Sequence, residues 1–303
     1  MYVDIWDKVT PEMELGISNA FWKSHAISIA TIRQVLKARY GVMWNMRQAY
    51  KMKCSYFGNG PIAKNTLCPL CRQPDSTNHL LNGCMHPEMK ALQIERHNEA
   101  GRLILKELAR GKHGAYHTMA DVGRYSKVKA LGIYDNRIDN KILPDATFRR
   151  HNLHPGTRNK LRPDIMVLGP SRKSQKRKRD CEEERPTIGM ANIVEIGYTS
   201  EGRYHEKLAE KQEQHAQLLM LLESQGYQVV TNTIVLGSSG GIFKSTTEAL
   251  ENLGIEFNRR RKLLQRLHIH GIKWLHTIVK KRRLLENEKH SQRLYRKKKP
   301  PDR

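Results

Sequence analysis

Four residues with the chemistry to hold a metal ion stand within one short segment, CPLCRQPDSTNHLLNGC: Cys68, Cys71, His79 and Cys84, spaced C-x2-C-x7-H-x4-C. Two cysteines two residues apart can grip one ion from a tight turn. A histidine and a cysteine four apart can close the tetrahedron. Such a closed, all-protein ligand set selects a structural Zn²⁺. The residues between them (Pro69, Pro74, Asp75, Ser76, Asn78, Asn82 and Gly83) are turn formers, as a small metal-folded knuckle requires. The metal supplies folding energy that so short a segment lacks. His86 is a substitute candidate for the fourth ligand.

A second set could do chemistry. Asp164, in Arg162-Pro163-Asp164, begins one strand candidate, and Glu195 lies inside another. Two carboxylates at neighbouring strand ends can share one divalent cation. Mg²⁺ keeps several waters, so two carboxylates and a backbone carbonyl suffice, and the Ile196 carbonyl is the natural third ligand. A cation held so supplies an activated water and neutralises charge on a scissile phosphate. In the PD-(D/E)xK nuclease pattern a lysine lies two residues after the second acid. Here that position is Gly197, and the next lysines are Lys207 and Lys211, four apart on one face of the following helix. Both also have acidic neighbours in Glu206, Glu210 and Glu213. His97, Glu99 and Glu107, on the helix before, could add an acid or base, and no feature of the sequence selects one of them.

The elements that must position these residues follow from periodicity. Apolar spacing predicts a basic helical region over 1–53, strongest in AISIATIRQVLKARYGVMWNMRQAYKMK, and an amphipathic helix over 88–110. Residues 111–160 read mostly as loop. Strands are expected at LRPDIMVLG (161–169), ANIVEIGYT (191–199) and YQVVTNTIVLG (227–237), with helices at 204–224 and 245–254. The expected fold class is therefore α/β in the α+β sense, a small mixed sheet flanked by helices. The expected units are a helical region (1–60), the knuckle (61–90), the mixed-sheet domain (91–256) and a basic helical tail (257–303).

Between the first two strands lies GPSRKSQKRKRDCEEERPTIGM, expected to be a disordered basic insertion at 170–190. Its RKSQKRKR run reads as a nuclear localisation signal or as a solvated loop.

Charge narrows the partners. The 303 residues carry 54 basic and 30 acidic side chains, a net +24. A polyanion, most often nucleic acid, is the expected partner. The tail alone holds 17 arginines and lysines against three acids, interleaved with Leu263, Leu264, Leu267, Ile272, Trp274, Leu275, Ile278 and Leu285. That is an amphipathic basic helix, fit for a phosphate backbone or for a membrane surface. No apolar run reaches the roughly 18 residues a membrane span needs. The first ten residues do not form a signal peptide. Five cysteines, three of them in the knuckle, suggest a reducing compartment, with Cys54 and Cys181 as free thiols.

The order of motifs from about residue 20 to 255 resembles the C-terminal region of non-LTR retrotransposon proteins with a restriction-like endonuclease: basic helical linker, C-x2-C-x7-H-x4-C knuckle, helix, R-P-D, distant E, and lysines on the next helix. Segment 26–53 looks like the linker, and HNEAGRLILKELARG like the first nuclease helix. The resemblance implies nicking of target DNA, whose free 3′ end primes reverse transcription. Asp164 and Glu195 would be the Mg²⁺-binding acids and Lys207 or Lys211 the relocated lysine. Target DNA, possibly the element's RNA, and a separately supplied polymerase would be partners. The chain departs from the pattern in two ways. Its acids are 31 positions apart, beyond the family's usual dozen or so, an excess that the insertion accounts for, and it has no Y/F-x-D-D polymerase sequence. It therefore reads as a fragment or a retained module of such an element. The alternatives are a non-catalytic, zinc-containing nucleic-acid-binding protein derived from one, or a ribonucleoprotein component. The knuckle could hold unpaired bases or brace the linker.

Overall fold

The computed structural model describes residues 10–57, 61–111, 113, 116–123, 129, 138–170 and 189–298. The basic run at 172–179, Cys181 and most of the expected insertion lie outside the described residues.

Helix α1 spans Leu15–Ser18, α2 Ile29–Arg39 and α3 Met46–Lys51. The long helical region read from periodicity is thus interrupted. The chain turns at Gly41, whose φ of 64° suits a residue without Cβ, and Asn45 starts α3 by accepting from the Gln48 N–H at 3.0 Å. Helix α4 runs from Pro87 to Ala109, with proline at its first turn where no N–H is needed.

Four strands follow: β1 His117–Ala120, β2 Ile165–Pro170, β3 Gly189–Thr199 and β4 Gln228–Gly237. The spatial order is β1-β2-β3-β4. The first three pair antiparallel, and β4 runs parallel to β3. The class is α+β, as expected. Strand β1 was not expected: HTMA is short and interrupted by polar residues, and pairing with β2 rather than local pattern makes it a strand.

Helix α5 (Asp145–Arg150) precedes β2. The single helix expected over 204–224 is two, α6 (Tyr204–Glu213) and α7 (Ala216–Ser224). They cross between the parallel strands β3 and β4. Helix α8 is Lys244–Asn252, and α9 runs unbroken from Phe257 to Lys298.

Period-two alternation divides the sheet's faces. Ile165, Val167, Val194, Ile196, Ile234 and Leu236 pack with α4, α8 and the start of α9. Met166, Ala191 and Ile193 face the other way, onto α5 and α7, and Val235 meets Tyr204 and Leu208 of α6. The sheet is therefore covered on both sides.

The tail helix is built into the interior. Leu263, Leu264 and Leu267 join the main core, Ile272 packs with Phe21, Ile27 and Val35, and Leu275, Ile278, Val279 and Leu285 pack with the knuckle. Its apolar stripe is spent on the protein itself. The cations left for a partner are those on its outer face.

Candidate active site and metal centre

The knuckle is built as its spacing implies. Cys68, Cys71, His79 and Cys84 present ligand atoms that all lie within 4.8 Å of one another. Cys68 and Cys84 sulfurs are 4.0 Å apart, Cys71 and Cys84 sulfurs 3.9 Å, and Cys71 Sγ is 3.2 Å from His79 Nε2. Tetrahedral Zn–S bonds of about 2.3 Å place sulfurs about 3.8 Å apart, so the group could hold a metal ion such as zinc. His86 is outside the group and stands at the start of α4. Hydrogen bonding from Cys84 and His79, beside the Arg282 charge, pulls the Cys68 thiol down to about 3 against the cost of its burial. Among the described residues this is the one tight cluster of metal-ligand type.

The knuckle is tied to α3, to α9 and to the turn after β4. Asp75, within it, is buried against Arg282 of α9, which donates to both carboxylate oxygens at 3.2 and 2.7 Å. Arg282 also bonds Glu286 through Nε, and Tyr56 donates to Glu286 at 2.7 Å. The Met46 N–H donates to Asp75 at 2.9 Å, tying α3 to the same point. Burial disfavours the Arg282 charge, but Glu286 and Asp75 outweigh it and raise its pKa. On the sheet side, Asn82 accepts from Ser238 (2.6 Å) and from Arg96 (2.9 Å), whose guanidinium lies over the Tyr198 ring.

The second constellation gathers where β2 and β3 meet. The register pairs Ile165 with Val194, so one step back Asp164 stands opposite Glu195. Opposed residues on antiparallel strands share a face. The insertion leaves this untouched, because Pro170 and Gly189 on either side of it are themselves paired. Asp164 Oδ2 accepts from the Ile196 N–H at 2.7 Å, and the Asp164 N–H donates to Glu195 Oε1 at 3.3 Å. The Ile196 carbonyl is at the same place.

Of the two candidate lysines, Lys211 joins the acids. Its Nζ is 3.0 Å from Glu195 Oε2 and 3.7 Å from Asp164 Oδ2. Lys207 instead bonds Glu210 at 2.6 Å on the surface. A Cβ added at Gly197 would meet the Lys207 stem at 3.3 Å and the Lys211 stem at 3.6 Å. The position two after Glu195 therefore faces the lysines of α6, and its lack of a side chain leaves them their place.

Two histidines complete the group. His97 Nε2 lies 3.1 Å from Asp164 Oδ2 and 3.2 Å from the Ile196 carbonyl oxygen. His215 Nε2 lies 2.8 Å from Glu195 Oε1. The chain leaves helical geometry at His215 (φ −116°, ψ 13°) between α6 and α7, which accounts for the split helix. Nothing in the sequence marked His215. His97 stood beside Glu99 and Glu107 as an undecided choice. The other two are committed elsewhere: Glu99 accepts from Trp274 at 2.9 Å, and Glu107 pairs with Arg259 and Arg266.

The electrostatics are mutual. Burial opposes the Asp164 charge, but the hydrogen bond and charge of His97, the Lys211 ammonium and the Ile196 N–H outweigh it and hold the carboxyl below its usual range. Burial likewise opposes charge on His97 and Lys211, and the carboxylates raise both. The result is a largely buried nest of two acids, an ammonium and two imidazoles.

No protein-family model matches the chain, and no curated protein matches its sequence.

Proposed function

We propose that the chain is a divalent-metal-dependent DNA endonuclease that nicks one strand, built on a restriction-like nuclease domain, and that it derives from a non-LTR retrotransposon protein in which the nick primes reverse transcription. The observation that carries the reading is the meeting of Asp164, Glu195, the Ile196 backbone and Lys211 where the start of β2 lies against β3. Element RNA and a separately supplied polymerase are the further partners this reading expects, and the nucleus is its place of action.

The reading requires a small cation, for which Asp164, Glu195 and the Ile196 carbonyl would be the ligands. Asp164 Oδ2 and the Ile196 oxygen lie 3.1 and 3.2 Å from the same His97 nitrogen. Mg²⁺ or Mn²⁺ would suit these oxygen ligands. A bound cation supplies charge neutralisation at the scissile phosphate and a water of lowered pKa. Asp164 and Glu195 would hold it. The Lys211 ammonium, beside both acids, would orient the attacking water and offset the charge that grows on phosphate oxygens. His97, donating from Nε2 to Asp164 Oδ2, fixes that carboxylate.

A second reading is a non-catalytic nucleic-acid-binding protein with the same fold. It is favoured by Lys211 itself, whose ammonium already compensates both acids without any ion. Supercoiled plasmid with Mg²⁺ or Mn²⁺ separates the two. The nuclease reading expects open-circle product from the native chain and none above background from Glu195→Gln. Equal, ion-independent background from both would leave the binding protein.

A further inference from the structure

A groove of about 710 Å³ lies between α2, the Trp44–Phe57 segment and α9. Its walls are aromatic. The Trp44 and Tyr56 rings are parallel (2° apart, centroids 6.0 Å), and Phe57 stacks on His290 at 4.5 Å. Trp44 is 37% exposed. Its rim is cationic. Arg33 and Lys37, one turn apart on α2, and Arg283 on α9 are all exposed and line it. Among the described residues none of the three is paired with an acid. The acid in the groove, Glu286, is already taken by Arg282 and Tyr56.

We propose that this groove binds an unpaired stretch of DNA, one base stacked on Trp44 and the flanking phosphates on Arg33, Lys37 and Arg283. Flat aromatic faces beside unpaired cations are what a single strand requires: any base offers a π-face, and the backbone offers regularly spaced anions. A duplex hides its base faces and is too wide for a cleft of this size. A membrane surface would call for a broad convex apolar face, whereas the apolar residues here, Met43, Leu80 and Val279, form a recessed floor. The stacking chemistry stands independently of the nicking reading. The choice of DNA over RNA rests on that reading, because a nick frees a single-stranded end. The groove also shares Leu80 with the knuckle, next to the ligand His79, so the Cys–His group would shape this site without touching the strand.

The test uses the full chain with its Cys–His site loaded with zinc and no other divalent ion, so no cleavage is needed. A nicking-negative protein can still pass it. Fluorescence anisotropy is read with 15-mer oligo(dT), the matching dT·dA duplex and oligo(U). Trp44→Ala is expected to weaken oligo(dT) binding about tenfold or more, Trp44→Phe less, and Trp22→Ala, an exposed tryptophan outside the groove, not at all. The combined Arg33→Ala, Lys37→Ala, Arg283→Ala variant is expected to flatten the salt slope by about two units. Unchanged binding in Trp44→Ala, in protein whose zinc content and melting match the native chain, would overturn the proposal. So would duplex binding as tight as single-strand binding. Tighter oligo(U) than oligo(dT) binding would overturn the assignment to DNA.

Discussion

The Cys–His group and the carboxylate group are both buried constellations of ligand-type residues, yet they are finished to different degrees. In the first, the four ligand atoms face only one another, and an ion pair from α9 locks the segment that carries them. In the second, Glu195 accepts from the Asp164 N–H and Asp164 from the Ile196 N–H, but their charges are left to the Lys211 ammonium of α6, the His97 imidazole of α4 and the His215 imidazole at the break after α6. A closed set suits a metal that stays and stabilises. An open, mixed set suits one that turns over with a substrate.

The contrast can be broken at several points. The largest effect is expected at the closed group. Cys68→Ser should abolish stoichiometric metal content and melt the knuckle, since a structural zinc contributes on the order of 10 kcal/mol to folding a small site. Metal analysis and thermal melting check this, and native metal content in that variant would contradict it.

Next is the lock. Arg282→Met leaves Asp75 and Glu286 buried without their partner, and breaking such a pair costs about 3–5 kcal/mol. Urea unfolding reads it. Arg282→Met together with Asp75→Leu and Glu286→Leu should recover most of the loss.

Acid should destabilise the protein through His268, which is fully buried and donates from Nδ1 to the Gly240 carbonyl. Burial lowers its pKa to about 4. Below pH 6.5 the unfolded chain takes a proton that the folded chain refuses. Stability therefore falls as pH drops from about 6.5 to about 4, by up to about 3 kcal/mol. His270, lowered to about 4 by burial as well, acts in the same window. Urea titrations at pH 7.5 and 5 should show a smaller drop in His268→Gln than in the native chain.

The smallest effect separates the two lysines. Lys211→Ala should cut nicking by about 10²-fold, whereas Lys207→Ala should change it less than about threefold. A reversed order would move the site's cation to the surface and undo the geometry proposed for it.

How much of this the sequence carried depended on whether a residue's role was local. The cysteine spacing is a local property, and all four ligands follow from it. Asp164 and Glu195 were legible because each sits at a strand start or on a strand face, and the register brings them together. Lys211 could not be told from Lys207 because both share one helical face and both stems pass Gly197; only the tertiary placement of their ammonium groups, Lys211 on the acids and Lys207 on Glu210, decides. His97 and His215 arrive from α4 and from a helix break, which are tertiary facts. Strand β1 exists through its pairing with β2. The tail read as a basic amphipathic surface, yet its leucines and isoleucines are interior and Arg282 is a buried lock. Periodicity reveals that a helix has an apolar stripe, and packing alone decides what covers it.

If the Asp164 group cuts DNA as proposed, removing its carboxylate removes nicking. The most direct measurement is the rate of conversion of supercoiled plasmid to open circle, with saturating Mg²⁺ or Mn²⁺, for the native chain and for Asp164→Ala. The two proteins are first matched in zinc content and melting temperature. The account predicts a loss of about 10³-fold or more in the variant with DNA binding retained. Equal rates in the two proteins would contradict it.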